Sequence, residues 1–91
     1  MKYDTNELLI VLDEELHEAG QIICKTLRFG KDSTWDGVSN KEKLTQELGD
    51  VVAMIEMLID STDFGITVDD IKKAKQAKKN KVTAWLKKTG A

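Results

Sequence analysis

The stretch LLIVLDEELHEAGQIICKTL, residues 8–27, decides the fold. Its apolar positions Leu8, Leu9, Leu12, Leu16, Ala19, Ile22, Ile23 and Leu27 recur mostly at steps of three and four, which marks one face of an α-helix. The spacing predicts a helix over about residues 4–28, stopped by Gly30. Downstream, the run from Arg28 to Gly37 is rich in turn formers and carries no periodicity, so it reads as a loop. Ser39-Asn40-Lys41-Glu42 fits a capping box, and Leu44, Leu48, Val51, Ile55, Leu58 and Ile59 continue it as a second amphipathic helix over about 40–60. Thr67-Val68-Asp69-Asp70 has the form of another helix start, with acids at the positive end of the dipole, and opens a third helix over about 68–87. No strand and no internal repeat is read from the sequence. The expected fold class is all-α: an antiparallel helical hairpin plus a third helix.

Composition agrees with that outline. The 91 residues are sized for a single domain, 1–91, and so short a chain buries only about two-thirds of the surface its unfolded form exposes. Oligomerisation, as a homodimer or homotetramer that completes a four-helix-bundle-like core, is therefore expected. A hydrophobic share of 41% with 33% charged residues excludes both a disordered chain and a membrane span. The absence of proline and the presence of only six glycines argue against a turn-dense sandwich or barrel. Cys24 is the sole cysteine and the start Met1-Lys2-Tyr3-Asp4 is too polar for a secretory signal, so a cytoplasmic location is expected. The formal net charge of −2 conceals a division: all 16 acids fall within residues 1–70, and eight lysines with no acid occupy 71–91. An acidic body with a basic end can bind its own tail, a metal or a phosphorylated ligand.

On a helix of about 100° per residue, Glu15 lies at the edge of the first apolar face and Glu18 beside it. Glu47 and Asp50 take the matching places on the second helix. If the two apolar faces pack together, four carboxylates line one border of the interface, where they raise each other's pKa or need a cation. Taken singly, each pair is also what ordinary solvated acids look like. Oxygen-only ligands favour Mg²⁺, with Mn²⁺ as a substitute, over metals that prefer nitrogen or sulfur. Glu14-x-x-His17 has the spacing of a di-iron helix motif, but His17 is the lone histidine and falls on the polar side, so a solvated histidine is the expectation.

Lys75 and Lys78 interrupt the apolar stripe of the third helix, Val68, Ile71, Ala74, Val82, Trp85 and Leu86. Lysine on an inward stripe needs a partner, either an acid of a neighbouring helix or the phosphates of a substrate. Lys72, Lys73, Lys79, Lys81, Lys87 and Lys88 form an exposed basic surface; nucleic-acid binding is not expected beside so acidic a body. The chain offers no Ser/His/Asp set and no glycine-rich phosphate loop.

Glu14-Glu15-Leu16-His17-Glu18 followed by Glu47-Leu48-Gly49-Asp50 resembles the EExxE and ExxD signature of the MazG-like all-α nucleoside triphosphate pyrophosphohydrolases. The run Lys25 to Gly30 and the lysine-rich close from Ala74 to Trp85 are similar to short single-domain members, including those of phages and prophages. The resemblance implies that Glu15, Glu18, Glu47 and Asp50 ligate Mg²⁺ and that Glu14 helps to place a metal or the attacking water. The implied reaction splits the α–β phosphoanhydride to give a nucleoside monophosphate and pyrophosphate. Lys25 and Arg28, with Lys75 and Lys78, are candidates for phosphate contact. Trp35 and Phe29 either stack on a base or cap a small core under the loop. Phosphoribosyl-ATP hydrolysis uses similar carboxylates and stands as an alternative; a non-catalytic helical interaction module is the alternative from another class.

Overall fold

A computed structural model describes residues 3–61 and 63–86, and it is all-α. Helix α1 spans Thr5–Phe29, α2 spans Asn40–Ser61 and α3 spans Val68–Thr83. Asp4 caps α1 by accepting from the Glu7 N–H at 3.1 Å, and Gly30 ends it with φ of 96°, a left-handed backbone that glycine adopts without a Cβ penalty. The expected bounds of the first two helices hold to within a residue at each end. The third helix, expected to reach 87, ends at Thr83, and Lys87 and Lys88 lie outside the described residues.

The connection between α1 and α2 differs from the expected loop. Thr34–Trp35 (β1) pairs antiparallel with Val38–Ser39 (β2), in register Thr34 to Ser39 and Trp35 to Val38. Asp36 and Gly37 turn the chain with φ of 56° and 76°, the two positive angles that a type I′ hairpin turn requires. Asp-Gly between two β-formers is itself a hairpin signal in the sequence.

Asn40, only 5% exposed, ties this hairpin to α1. Its Nδ2 donates to the Gly30 carbonyl at 3.0 Å and the Lys25 carbonyl at 3.5 Å, while its own N–H donates to the Ser33 carbonyl. At the other end, the Tyr3 N–H donates to the Ser61 carbonyl at 3.0 Å, so α1 and α2 are held antiparallel from both ends. Ser39 starts α2 by accepting from the Glu42 N–H; its hydroxyl donates to the Glu42 carboxylate, a close variant of the expected capping box. Thr67 and Asp70 make the full reciprocal box at the start of α3.

The core is thin. Among the described residues Leu8, Ala19 and Leu58 are the buried apolar ones, all at the α1–α2 contact, and α3 contributes none. The stripe of α3, expected to face inward, is largely open: Val68, Trp85 and Leu86 are all exposed. Lys75 and Lys78 are likewise exposed, so the expectation that burial forces a partner on them is corrected: water already solvates them.

Candidate metal centre and the cleft on the same face

The antiparallel packing of α1 on α2 sets one broad face of the hairpin apart from the other. Glu15 lies beside the contact line of α1 and Glu47 beside that of α2, and because the helices run in opposite directions these edges meet on the same side. Glu15, Glu18 and Glu47 each place a carboxylate oxygen within 4.8 Å of the others. Asp50 stands outside this tight group and Glu14 outside it too. Both are exposed and close enough to act by charge: Asp50 on Glu15 and Glu18, Glu14 on Glu18. The structure thus brings together three of the four expected ligands and sets the fourth at the border.

The electrostatics of the group are those of unneutralised acids. Glu15 is pushed up to about 7, first by a hydrogen bond shared with Glu47, then by burial and by the charges of Glu18, Glu47 and Asp50. Glu18 is raised chiefly by the charge of Glu47. Glu15 Oε2 and Glu47 Oε2 are enclosed and receive no donor from the rest of the fold. Buried acceptors without donors are costly, and in this fold a proton shared by the two carboxyls is the available compensation. A hard divalent cation, bound by oxygen alone, would satisfy both atoms and release the proton. The residues present fit such an ion.

Seven residues beyond Glu18 on α1, and seven before Glu47 on α2, the same face opens into a cleft of about 380 Å³. Seven residues are two helical turns, roughly 10 Å. Lys25, Phe29, Ser33, Thr34, Trp35 and Asn40 line it. Trp35 is 70% and Phe29 61% exposed, so both aromatic rings present accessible surface, and the Arg28 guanidinium lies over the Phe29 ring, 5.1 Å from its centre. Three expected residues, Lys25, Phe29 and Trp35, are brought together here, and Arg28 stacks at the edge. Their rings do not cap a core, which was the other reading.

Lys75 and Lys78 are not brought to the carboxylates within one chain. Lys75 lines a groove with Val52, Ile55, Ile59, Val68 and Ile71, on the flank of α2 away from Glu47. Lys78 is one turn further along the same strip of α3. A different lysine was missed. Lys43 is half-buried on α2, one turn before Glu47 and between it and the cleft, and it makes no hydrogen bond or ion pair among the described residues. The i, i+4 spacing of Lys43 and Glu47 was the signal that could have found it.

His17 is held on the polar side, its Nδ1 2.7 Å from the Asp13 carbonyl and 3.3 Å from the Asp13 carboxylate, which raises its pKa and leaves it remote from the acidic group. Cys24 is exposed. Among the described residues no helix is long and apolar enough to cross a membrane. No family model, curated protein or solved structure matches the chain.

Proposed function

We propose that the chain is a Mg²⁺-dependent nucleoside triphosphate pyrophosphohydrolase, releasing a monophosphate and pyrophosphate in a reducing cytosol. The observation that carries this reading is the meeting of Glu15, Glu18 and Glu47 from two helices, with two enclosed carboxylate oxygens left without donors. When bound, a divalent ion supplies charge neutralisation of the triphosphate and a water made nucleophilic near neutral pH.

The chain's own residues do the rest. Glu15, Glu18 and Glu47 hold the ion, with Asp50 at its border. Glu14, exposed beside Glu18, is placed to accept a proton from attacking water. Lys25 lines the cleft and Lys43 lies between it and the carboxylates, where cationic side chains meet the polyphosphate. Trp35 and Phe29 offer stacking faces for a base, a contact that tolerates many bases because each has a π-face. Lys75 and Lys78 take no part within the same chain.

Incubation with a panel of nucleoside triphosphates and Mg²⁺, with product identification, tests the reading. Pyrophosphate release is expected, abolished by Glu47→Gln with helicity retained. Lys43→Met is expected to lower kcat/KM by about 10–100-fold, the worth of one charge-assisted hydrogen bond of about 1.5–3 kcal/mol. Inactivity toward every nucleotide with Mg²⁺ and Mn²⁺ removes the proposal, and turnover of phosphoribosyl-ATP alone would favour that alternative. The open stripe of α3 favours the second reading, a non-catalytic interaction module, in which Mg²⁺ with a nonhydrolysable nucleotide leaves the melting temperature unmoved.

A further inference from the structure

Among the described residues Asn40 is the buried polar one, and it stands in the wall of the cleft with Trp35 and Phe29. Its side chain has a fixed sense. The 3.0 Å bond to the Gly30 carbonyl and the longer one to the Lys25 carbonyl both end on oxygens that only accept. The amide nitrogen therefore faces them, and Oδ1 takes the opposite side of the amide. Among the described residues no donor reaches Oδ1. Nor is that atom shut away from solvent, as Glu15 Oε2 and Glu47 Oε2 are. The little surface that Asn40 keeps belongs to the cleft wall, so a carbonyl acceptor is left open to whatever fills the cleft.

The rest of the cleft suits a flat heterocycle. Its volume of about 380 Å³ falls within the range of small-ligand pockets, whose apolar walls carry a few placed polar groups. Trp35 and Phe29 supply faces for stacking, which holds a ring without telling one ring from another. The Ser33 and Thr34 hydroxyls in the lining both give and take a hydrogen bond and rotate to suit the ligand. Asn40 Oδ1 differs from them on both counts. It only accepts, and turning the amide over would set Oδ1 against the Gly30 carbonyl. A ring that presents an N–H to it completes the bond, whereas a ring that presents a lone pair or a methyl group leaves the acceptor dry and unpaired.

We infer that Asn40 Oδ1 is the specificity-determining acceptor of the cleft, reading an N–H on the edge of the bound base. The ligand class is then nucleotides whose base keeps an unsubstituted N–H on that edge, and analogues that lack it are rejected. This rests on the reading of the cleft as the base site, but the acidic group and its chemistry take no part in it. Stacking supplies the affinity and the amide makes the selection.

Calorimetric titration of the full chain in the presence of a chelator tests it without any hydrolysis. Two pairs of nucleoside monophosphates differ at such an N–H: adenosine monophosphate against purine riboside monophosphate, which lacks the amino group, and uridine monophosphate against its 3-methyl form. In each pair whose parent binds, the analogue is expected to bind about 5- to 100-fold more weakly, the effect of leaving an enclosed acceptor unpaired. Trp35→Ala, at an exposed residue, is expected to weaken parent and analogue alike and leave their ratio unchanged. Nuclear magnetic resonance of the ¹⁵N-labelled chain is the second measurement. The Asn40 side-chain amide signals are expected to shift on binding of a parent, while those of Gln76 on α3, bonded to Asn80, stay in place. Equal binding of parent and analogue in both pairs, or an Asn40 amide unmoved at saturation, overturns the inference; pyrophosphate release by the same chain would then leave the proposed activity standing without it. Discrimination within the pairs by a chain that hydrolyses no nucleotide supports the inference and removes the activity alone. Failure of every parent to bind at millimolar concentration overturns the inference together with the base site.

Discussion

Glu15 is the residue on which the chemistry of the site turns. Its carboxyl is raised from 4.5 to about 7 because Glu47 shares its hydrogen bond and its neighbours are anions. The unfolded chain releases that proton near the ordinary value, so between 4.5 and about 7 the folded state binds more protons than the unfolded one. The stabilisation linked to Glu15 is therefore complete below the unfolded pKa and is lost as pH rises through the folded one, and Glu18 shifts in the same direction. In the presence of a chelator, the melting temperature is expected to fall from pH 5 to pH 8. Added Mg²⁺ should restore it at pH 8, where the carboxylates are free to ligate. Glu15→Gln should flatten the chelated pH profile; a melting temperature independent of both pH and Mg²⁺ would contradict the cation site. Glu15, Glu18 and Glu47 were legible in the sequence because helical phase alone decides their face. Lys43 was overlooked because the significance of its position depends on a cleft formed by another segment.

At the scale of the element, the β1–β2 hairpin positions the cleft, and Asn40 fastens the hairpin. The Asn40 side chain donates to the Lys25 and Gly30 carbonyls at the end of α1, which is why a polar residue is buried there. Asn40→Ala removes both bonds that fasten the hairpin and is expected to cost about 1–3 kcal/mol. For a domain of this size that lowers the melting temperature by roughly 5–20 °C, measurable by circular dichroism. Near-normal stability of Asn40→Ala would show that the hairpin is held by other means. The helices themselves were readable from apolar period and caps, down to the Thr67–Asp70 box. The strands were missed because two residues are too few for a period of two to register, and only Asp36-Gly37 signalled them. The third helix was extended too far because the periodicity continues through Trp85 and Leu86, whereas past Thr83 the chain makes only a closing turn, with the Trp85 and Leu86 N–H groups both donating to the Val82 carbonyl.

At the scale of the whole molecule, a single layer of three helices has no side left to hide its second face. If two copies close on each other, folding and association are linked, and stability rises with protein concentration. Between 1 and 100 µM, the melting temperature is expected to rise by about 5–10 °C, from the concentration dependence of a two-chain equilibrium spread over roughly 180 residues. Scanning calorimetry at the two concentrations checks this, and a concentration-independent midpoint for a fully helical chain counts against the pairing.

The amino-acid sequence by itself determined the helices, their caps and the face on which each carboxylate stands, since these follow from the local period of about 3.6 residues. Only the tertiary structure decided which faces meet. It drew Glu47 to Glu15 and Glu18, left Asp50 at the border, and assembled Lys25, Phe29, Trp35 and Asn40 around one cleft. It also left Lys75 and Lys78 on solvated flanks. The physical reason is that a helix's own phase says which side chains share a strip, whereas the neighbour that covers the strip is chosen by turns and latches. Here those are the Asp36-Gly37 turn and the Asn40 bonds, which act between segments that no single helical period connects.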